Sequence, residues 1–315
     1  MNSYSRFSPF GLAARIILPL GVFLLVLMFV LMGPGSQYKR HIQVGNNFYS
    51  SGNYASAVLE YTEALKVRPN DRDGLLLRAM GYYRMNRYQR AIDDNTSALK
   101  TTRIPEVLAS VYYNRGLDYE ALNKLKEAID DYSAAIQIQP RNFDAIVNRA
   151  DCYRKSQQPD KAITDITYFL KIGAPTFFAY YVRGISYEEM KKWKESAEDL
   201  KSALKLKPTE AQAWGSLGWA QYMSGDLDAA VATDRKALNM QPKMSFCHFN
   251  LALCLAVQKN WDSASQEYQQ SLTRATDADK HGALEDVRAA IRLHPGGSGS
   301  ALAKAEELLV SAGAK

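Results

Sequence analysis

The chain has 315 residues, of which 47% are hydrophobic and 23% charged, with 39 basic against 33 acidic residues and a net charge of +6. That composition excludes a largely disordered chain. The two signs are interspersed, and the densest basic cluster, Lys191, Lys192 and Lys194, is offset by Glu188, Glu189 and Glu195, so a concentrated nucleic-acid-binding stripe is not expected.

In chain order, a short tail (residues 1–15) precedes a segment at 16–33 that reads as one transmembrane helix. From Ile16 to Met32 it carries no charged or strongly polar residue, and seventeen residues rise about 25 Å, enough to span a thin hydrocarbon core. A cleaved signal peptide is the alternative. Against it stand the length of the apolar run, the absence of a small-x-small site and the proline at Pro34. Arg6 and Arg15 on the short side balance Lys39 and Arg40 on the long side, a tie under the positive-inside count. The short tail favours a single-pass membrane protein with its folded part outside the cytoplasm.

Residues 34–37 read as a linker, and self-similarity starts beyond them. Gly45, Ala79, Gly116, Ala150, Gly184, Gly218 and Ala252 recur at intervals of 34, with one interval of 37. Twelve residues after each comes Ala57, Ala91, Ala128, Ala162, Ser196, Ala230 or Ala264, and seven further on Ala64, Ala98, Ala135, Phe169, Ala203, Ala237 or Ser271. Small residues at these points let an antiparallel helix pair approach closely while intervening aromatics fill the gaps. Pro69, Pro140, Pro208 and Pro242 stop the second helix before the next unit. Asn95 and Asp234 depart from the pattern at an apolar position, and Phe169 at a small one.

This pattern resembles the tetratricopeptide repeat family; residues 112–140, YYNRGLDYEALNKLKEAIDDYSAAIQIQP, carry the resemblance most fully. It implies an all-α, right-handed α-solenoid of helix-turn-helix units over residues 38–278: 38–71, 72–108, 109–142, 143–176, 177–210, 211–244 and 245–278. Residues 279–294 read as a capping helix, and 295–315 as a Gly/Ser linker followed by a C-terminal helix on a flexible tether.

Catalytic chemistry is not expected, and neither a metal nor a cofactor is. The four histidines are isolated, and no phosphate loop or dinucleotide fingerprint occurs. Asp93-Asp94, Asp130-Asp131 and Glu198-Asp199 recur in phase and read as a solvated face, while Arg78, Arg115, Arg149 and Arg183 read as struts between repeats. The resemblance implies a concave groove lined by the first helices. In units five to seven it is apolar and aromatic, with Phe178, Tyr181, Trp219, Tyr222, Phe246 and Phe249, and the alternative reading is that some of these rings pack internally. Unit four instead offers Asp144, Asp151, Arg154 and Lys155. By the same resemblance Asn114 and Asn148 would bond a peptide backbone. The clamp with which some members capture a C-terminal carboxylate is not matched, since Ile42 and Leu77 stand where it needs polar residues. The expected function is a membrane-anchored scaffold or assembly factor that binds apolar protein or peptide segments. The alternatives are a holdase-like chaperone or import receptor, and a non-catalytic accessory subunit of a membrane enzyme complex.

Overall fold

The computed structural model describes residues 33–294 and 300–314. Among these residues there are sixteen α-helices and no strand. The segment expected to be a membrane anchor lies outside the described residues except for Gly33, and no described helix is long and apolar enough to cross a membrane. The chain divides after Gln139 into two compact units.

The first unit contains three antiparallel helix pairs: α1 (Pro34–Ser50) with α2 (Tyr54–Val67), α3 (Arg72–Arg84) with α4 (Tyr88–Thr101), and α5 (Pro105–Ala121) with α6 (Leu125–Ile138). The expected linker at 34–37 is instead the first turn of α1. Pro34 sits at its N-terminal end, where a missing N–H costs nothing and the fixed φ suits a helix. The second unit contains four pairs: α7 (Phe143–Lys155) with α8 (Pro159–Ile172), α9 (Phe177–Glu189) with α10 (Trp193–Leu206), α11 (Ala211–Met223) with α12 (Leu227–Met240), and α13 (Ser245–Val257) with α14 (Trp261–Leu272). Two further helices follow, α15 (Asp277–Leu293) and α16 (Ala301–Ser311).

Each pair turns on one residue with positive φ: Gly52, Asn86, Asn123, Gln157, Lys191, Gly225 and Lys259. At the next residue a backbone N–H reaches back to a carbonyl of the first helix, as from Arg87 to Tyr82 at 2.8 Å or Lys192 to Tyr187 at 2.8 Å. The turn satisfies carbonyls that the helix end would otherwise orphan.

The small positions are small because a large side chain of the second helix lies on them. A Cβ at Gly45 would stand 2.5 Å from the Tyr61 ring, and one at Gly116 would stand 2.7 Å from the Tyr132 ring. Ala57, Ala64, Ala91, Ala98, Ala128, Ala135, Ala162, Ala203, Ala230, Ala237 and Ala264 are fully buried. The C-terminal helix docks: Leu302, Ala305 and Leu309 of α16 are buried in one core with α13, α14 and α15.

The in-phase acidic pairs are only half solvated. Asp93, Asp130 and Glu198 face water, but Asp94, Asp131 and Asp199 are buried. Each accepts two hydrogen bonds from the arginine sixteen residues upstream: Arg78 on Asp94 (2.8 and 2.7 Å), Arg115 on Asp131 (2.7 and 2.8 Å) and Arg183 on Asp199 (2.6 and 2.8 Å). Arg149 holds Asp165 in the same way. The arginines therefore clamp the two helices of their own repeat first. They also brace the preceding repeat, since Arg78, Arg115 and Arg183 donate to Thr62, Thr96 and Thr167. At the equivalent places in the first and seventh pairs, Glu60 and Glu267 meet His41 (2.7 Å) and His248 (2.6 Å). The sixth pair has Thr233 and Leu217 there instead, and no clamp.

Candidate peptide-binding pockets

The first helix of each pair presents residues of positions 2, 5, 6, 9, 12 and 13 along one face, and within each unit these line cavities. In the second unit, Asn148 of α7 and Phe178 of α9 stand in one cavity of about 420 Å³, walled by Phe143, Val147 and Phe169 and edged by Asp144 and Thr176. Phe178 is 41% exposed there. Phe169, the residue that breaks the small-residue pattern, meets Phe143 edge-on at 5.5 Å between ring centroids. A bulky ring where other repeats have alanine helps to shape the floor of this cavity.

The remaining groove residues divide by surroundings. Tyr181 stacks on Phe177 at 5.5 Å and 13°, against the core of α10 and α11. Phe246 is 41% exposed, but one edge of its ring covers Gly215, where a Cβ would come within 2.5 Å. Trp219 and Tyr222 line a cavity of about 320 Å³ whose other wall is α15, through Asp286, Ala289, Ala290 and Leu293. Phe249 is not open surface: it is 7% exposed, packs on Tyr268 and shares its surroundings with Ala283 and Asp286 of α15. The capping helix thus lies against the aromatic face of the last two pairs, which accounts for the burial of Phe249 and for part of that of Trp219 and Tyr222. Asp151 pairs with both Arg154 and Lys155 at 2.8 Å, and Arg154 also reaches Glu189 at 3.1 Å. Burial pushes Glu188 up to about 7.

In the first unit, Asn114 lines a cavity of about 220 Å³ together with Tyr49, Met80, Tyr83, Arg84, Leu117, Asn95 and Asp118. Sequence reasoning found Asn114 but not this pocket. The available signal was Asn95, a polar residue at a position occupied by Tyr61, Tyr132, Ile166, Leu200 and Tyr268 in other repeats. Among the described residues no group of histidine, cysteine and acidic side chains is placed to hold a metal ion, and the three cysteines are buried and form no disulfide.

Sequence models of the tetratricopeptide repeat match residues 45–103, 109–142 and 181–245, together about half of the chain. The chain is a tetratricopeptide repeat protein. It is 24% identical over 243 residues to tetratricopeptide repeat protein 37 of Xenopus laevis, covering 75% of this chain and 15% of that one. To the Hsp70-Hsp90 organizing protein 3 of Arabidopsis thaliana it is 33% identical over 239 residues, covering 72% of this chain and 41% of that one. It therefore spans well under two thirds of either relative. A solved tetratricopeptide repeat protein from Parabacteroides merdae shares the fold, with a TM-score of 0.59 at 17% identity over 87% of this chain and 99% of that one. Tetratricopeptide repeat proteins mediate protein–protein interaction and scaffolding.

Proposed function

We propose that this tetratricopeptide repeat protein is a membrane-anchored scaffold or assembly factor, holding partner polypeptides in the first-helix pockets of its repeats. The anchor is the apolar segment at 16–33, with seven repeats outside the cytoplasm. The observation that carries the reading is the cavity shared by Asn148 and Phe178. An amide able to bond a peptide backbone stands there beside apolar walls that accept a side chain, the combination by which an extended segment is gripped in register. The docked α15 narrows the aromatic groove of the last two pairs, so the bound segment is centred on the α7–α9 pocket rather than on Trp219.

A second reading, a holdase-like chaperone, draws support from the similarity to an Hsp70-Hsp90 organizing protein. The number of clients separates the two. Crosslinking from a photoreactive residue at Phe178 in the native membrane, with exposed Glu127 as control site, captures one dominant partner from Phe178 alone if the scaffold reading holds. Many unfolded clients would favour the chaperone. Equal capture from both sites, or none, would refute the pocket assignment.

A further inference from the structure

The cavity of the first unit differs in chemistry from the Phe178 pocket. Its floor is Asn95 and Asp118, 2% and 1% exposed. Asn95 Nδ2 donates to Asp118 Oδ2 at 2.8 Å, and that bond uses the pair's engaged donor on its own acceptor. Asn95 Oδ1 is buried with no partner. Asp118 has no ion-pair partner among the described residues, unlike Asp94 and Asp131, each clamped by an arginine. The floor therefore offers buried acceptors and a carboxyl with no cation of its own. The walls are Tyr49, Met80, Tyr83 and Leu117. Arg84 stands at the edge but is engaged elsewhere, donating to Tyr54 Oη at 2.6 Å with its guanidinium 4.9 Å from that ring's centroid.

Resting on the peptide-binding reading above, we infer that this pocket takes the lysine or arginine side chain of a bound partner segment. A long basic side chain lays its methylenes along apolar walls and carries its charge to the end, as a pocket with apolar sides and an acidic floor requires. The cavity of about 220 Å³ has the volume of roughly seven waters, room for one such side chain. An apolar side chain would leave the floor acceptors unpaired, at the full cost of their desolvation. An anionic one would meet Asp118, with Asp131 adding its own negative field. Burial pushes the Asp118 carboxyl up to about 7, so near neutrality an arriving cation is the counter-charge that holds it ionised. Asn114, lining the same cavity, is placed to bond the segment's backbone while the side chain descends.

The test is selection of a random-peptide display library on the full chain, on Asp118→Asn and on Arg84→Ala, each variant first shown to melt as the parent does. Asp118→Asn preserves shape, removes the charge and leaves one carbonyl acceptor in place of two carboxylate oxygens. The expected result is enrichment of lysine or arginine at one peptide position on the parent and on Arg84→Ala, lost on Asp118→Asn. A selected lysine peptide should then bind the parent about tenfold more tightly than its norleucine analogue, the scale of a charge-assisted hydrogen bond, and Asp118→Asn equally to both. Selected peptides without a basic residue, or with one that Asp118→Asn leaves unaffected, would overturn this inference and leave peptide binding standing. A library from which nothing is selected would overturn both.

Discussion

Replacing Asp234 with leucine should stabilise this protein, and more so at alkaline pH. Asp234 is fully buried on α12, and neither carboxyl oxygen has a hydrogen-bond partner among the described residues. Burial pushes its pKa from 3.8 to about 8. The folded state thus holds a proton that the unfolded chain releases, and stability falls as pH rises from about 4 to about 8, by up to about 1.4 kcal/mol per pH unit for a group that stays buried. Even protonated, the orphaned carboxyl costs about 1–3 kcal/mol. Leucine fits the site's geometry. In the neighbouring repeat Leu200 occupies the same place over Gly184, with its Cγ 3.0 Å from where a Cβ would stand, and Gly218 gives position 234 the same opening. Thermal unfolding followed by circular dichroism at pH 5.5 and pH 8.5 checks it. The variant should melt higher at both, by several degrees at pH 5.5, since about 1 kcal/mol corresponds to roughly 2–4 °C for a domain of this size, with a wider gap at pH 8.5. A gap that narrows with pH, or a variant that melts below the parent at pH 8.5, would refute the reasoning.

Arg115→Leu should cost about 3–5 kcal/mol, because it leaves Asp131 buried and unpaired, whereas Arg115→Leu with Asp131→Leu should recover most of that loss; urea melts of the single and double variants decide it. Lys191→Gly should stabilise by about 1 kcal/mol, since Lys191 holds φ at +58° in a turn where Gly225 serves another repeat, and denaturant midpoints report the gain. The thiols of Cys152, Cys247 and Cys254 should resist iodoacetamide at pH 8 until the chain unfolds: all three are buried, and burial pushes Cys254 up to about 12 and Cys247 higher still. Mass spectrometry across a urea series gives the labelling profile.

The helix pairs were legible in the sequence because sterics wrote them there. Wherever a tyrosine or leucine of the second helix crosses the first, only glycine or alanine fits beneath it, and Gly45 and Gly116 sit under rings that admit no Cβ. The polar half of the architecture was read less well. The aspartates and arginines each recurred in phase, but their pairing depends on which face of the second helix meets the first, and a one-residue difference separates solvated Asp130 from buried Asp131. The aromatic groove was overestimated for a similar reason. Phe249 looks like groove surface when its repeat is considered alone and becomes core once α15 lies against it. The Asp118 pocket escaped because it needs residues from three consecutive repeats, and only Asn95 announced it, as a departure.

The missing clamp of the sixth pair gives the array a fuse. In a linear stack each repeat is held by its own fold and its two neighbours, so opening starts at the element with the least to lose. The sixth pair has threonine and leucine where four other repeats have an aspartate and its arginine, and it carries the unpartnered carboxyl of Asp234. Pulled from its ends, or warmed at mildly alkaline pH, the second unit should yield there first. The α7–α9 pocket would still be folded while α13 to α16 come away as a block.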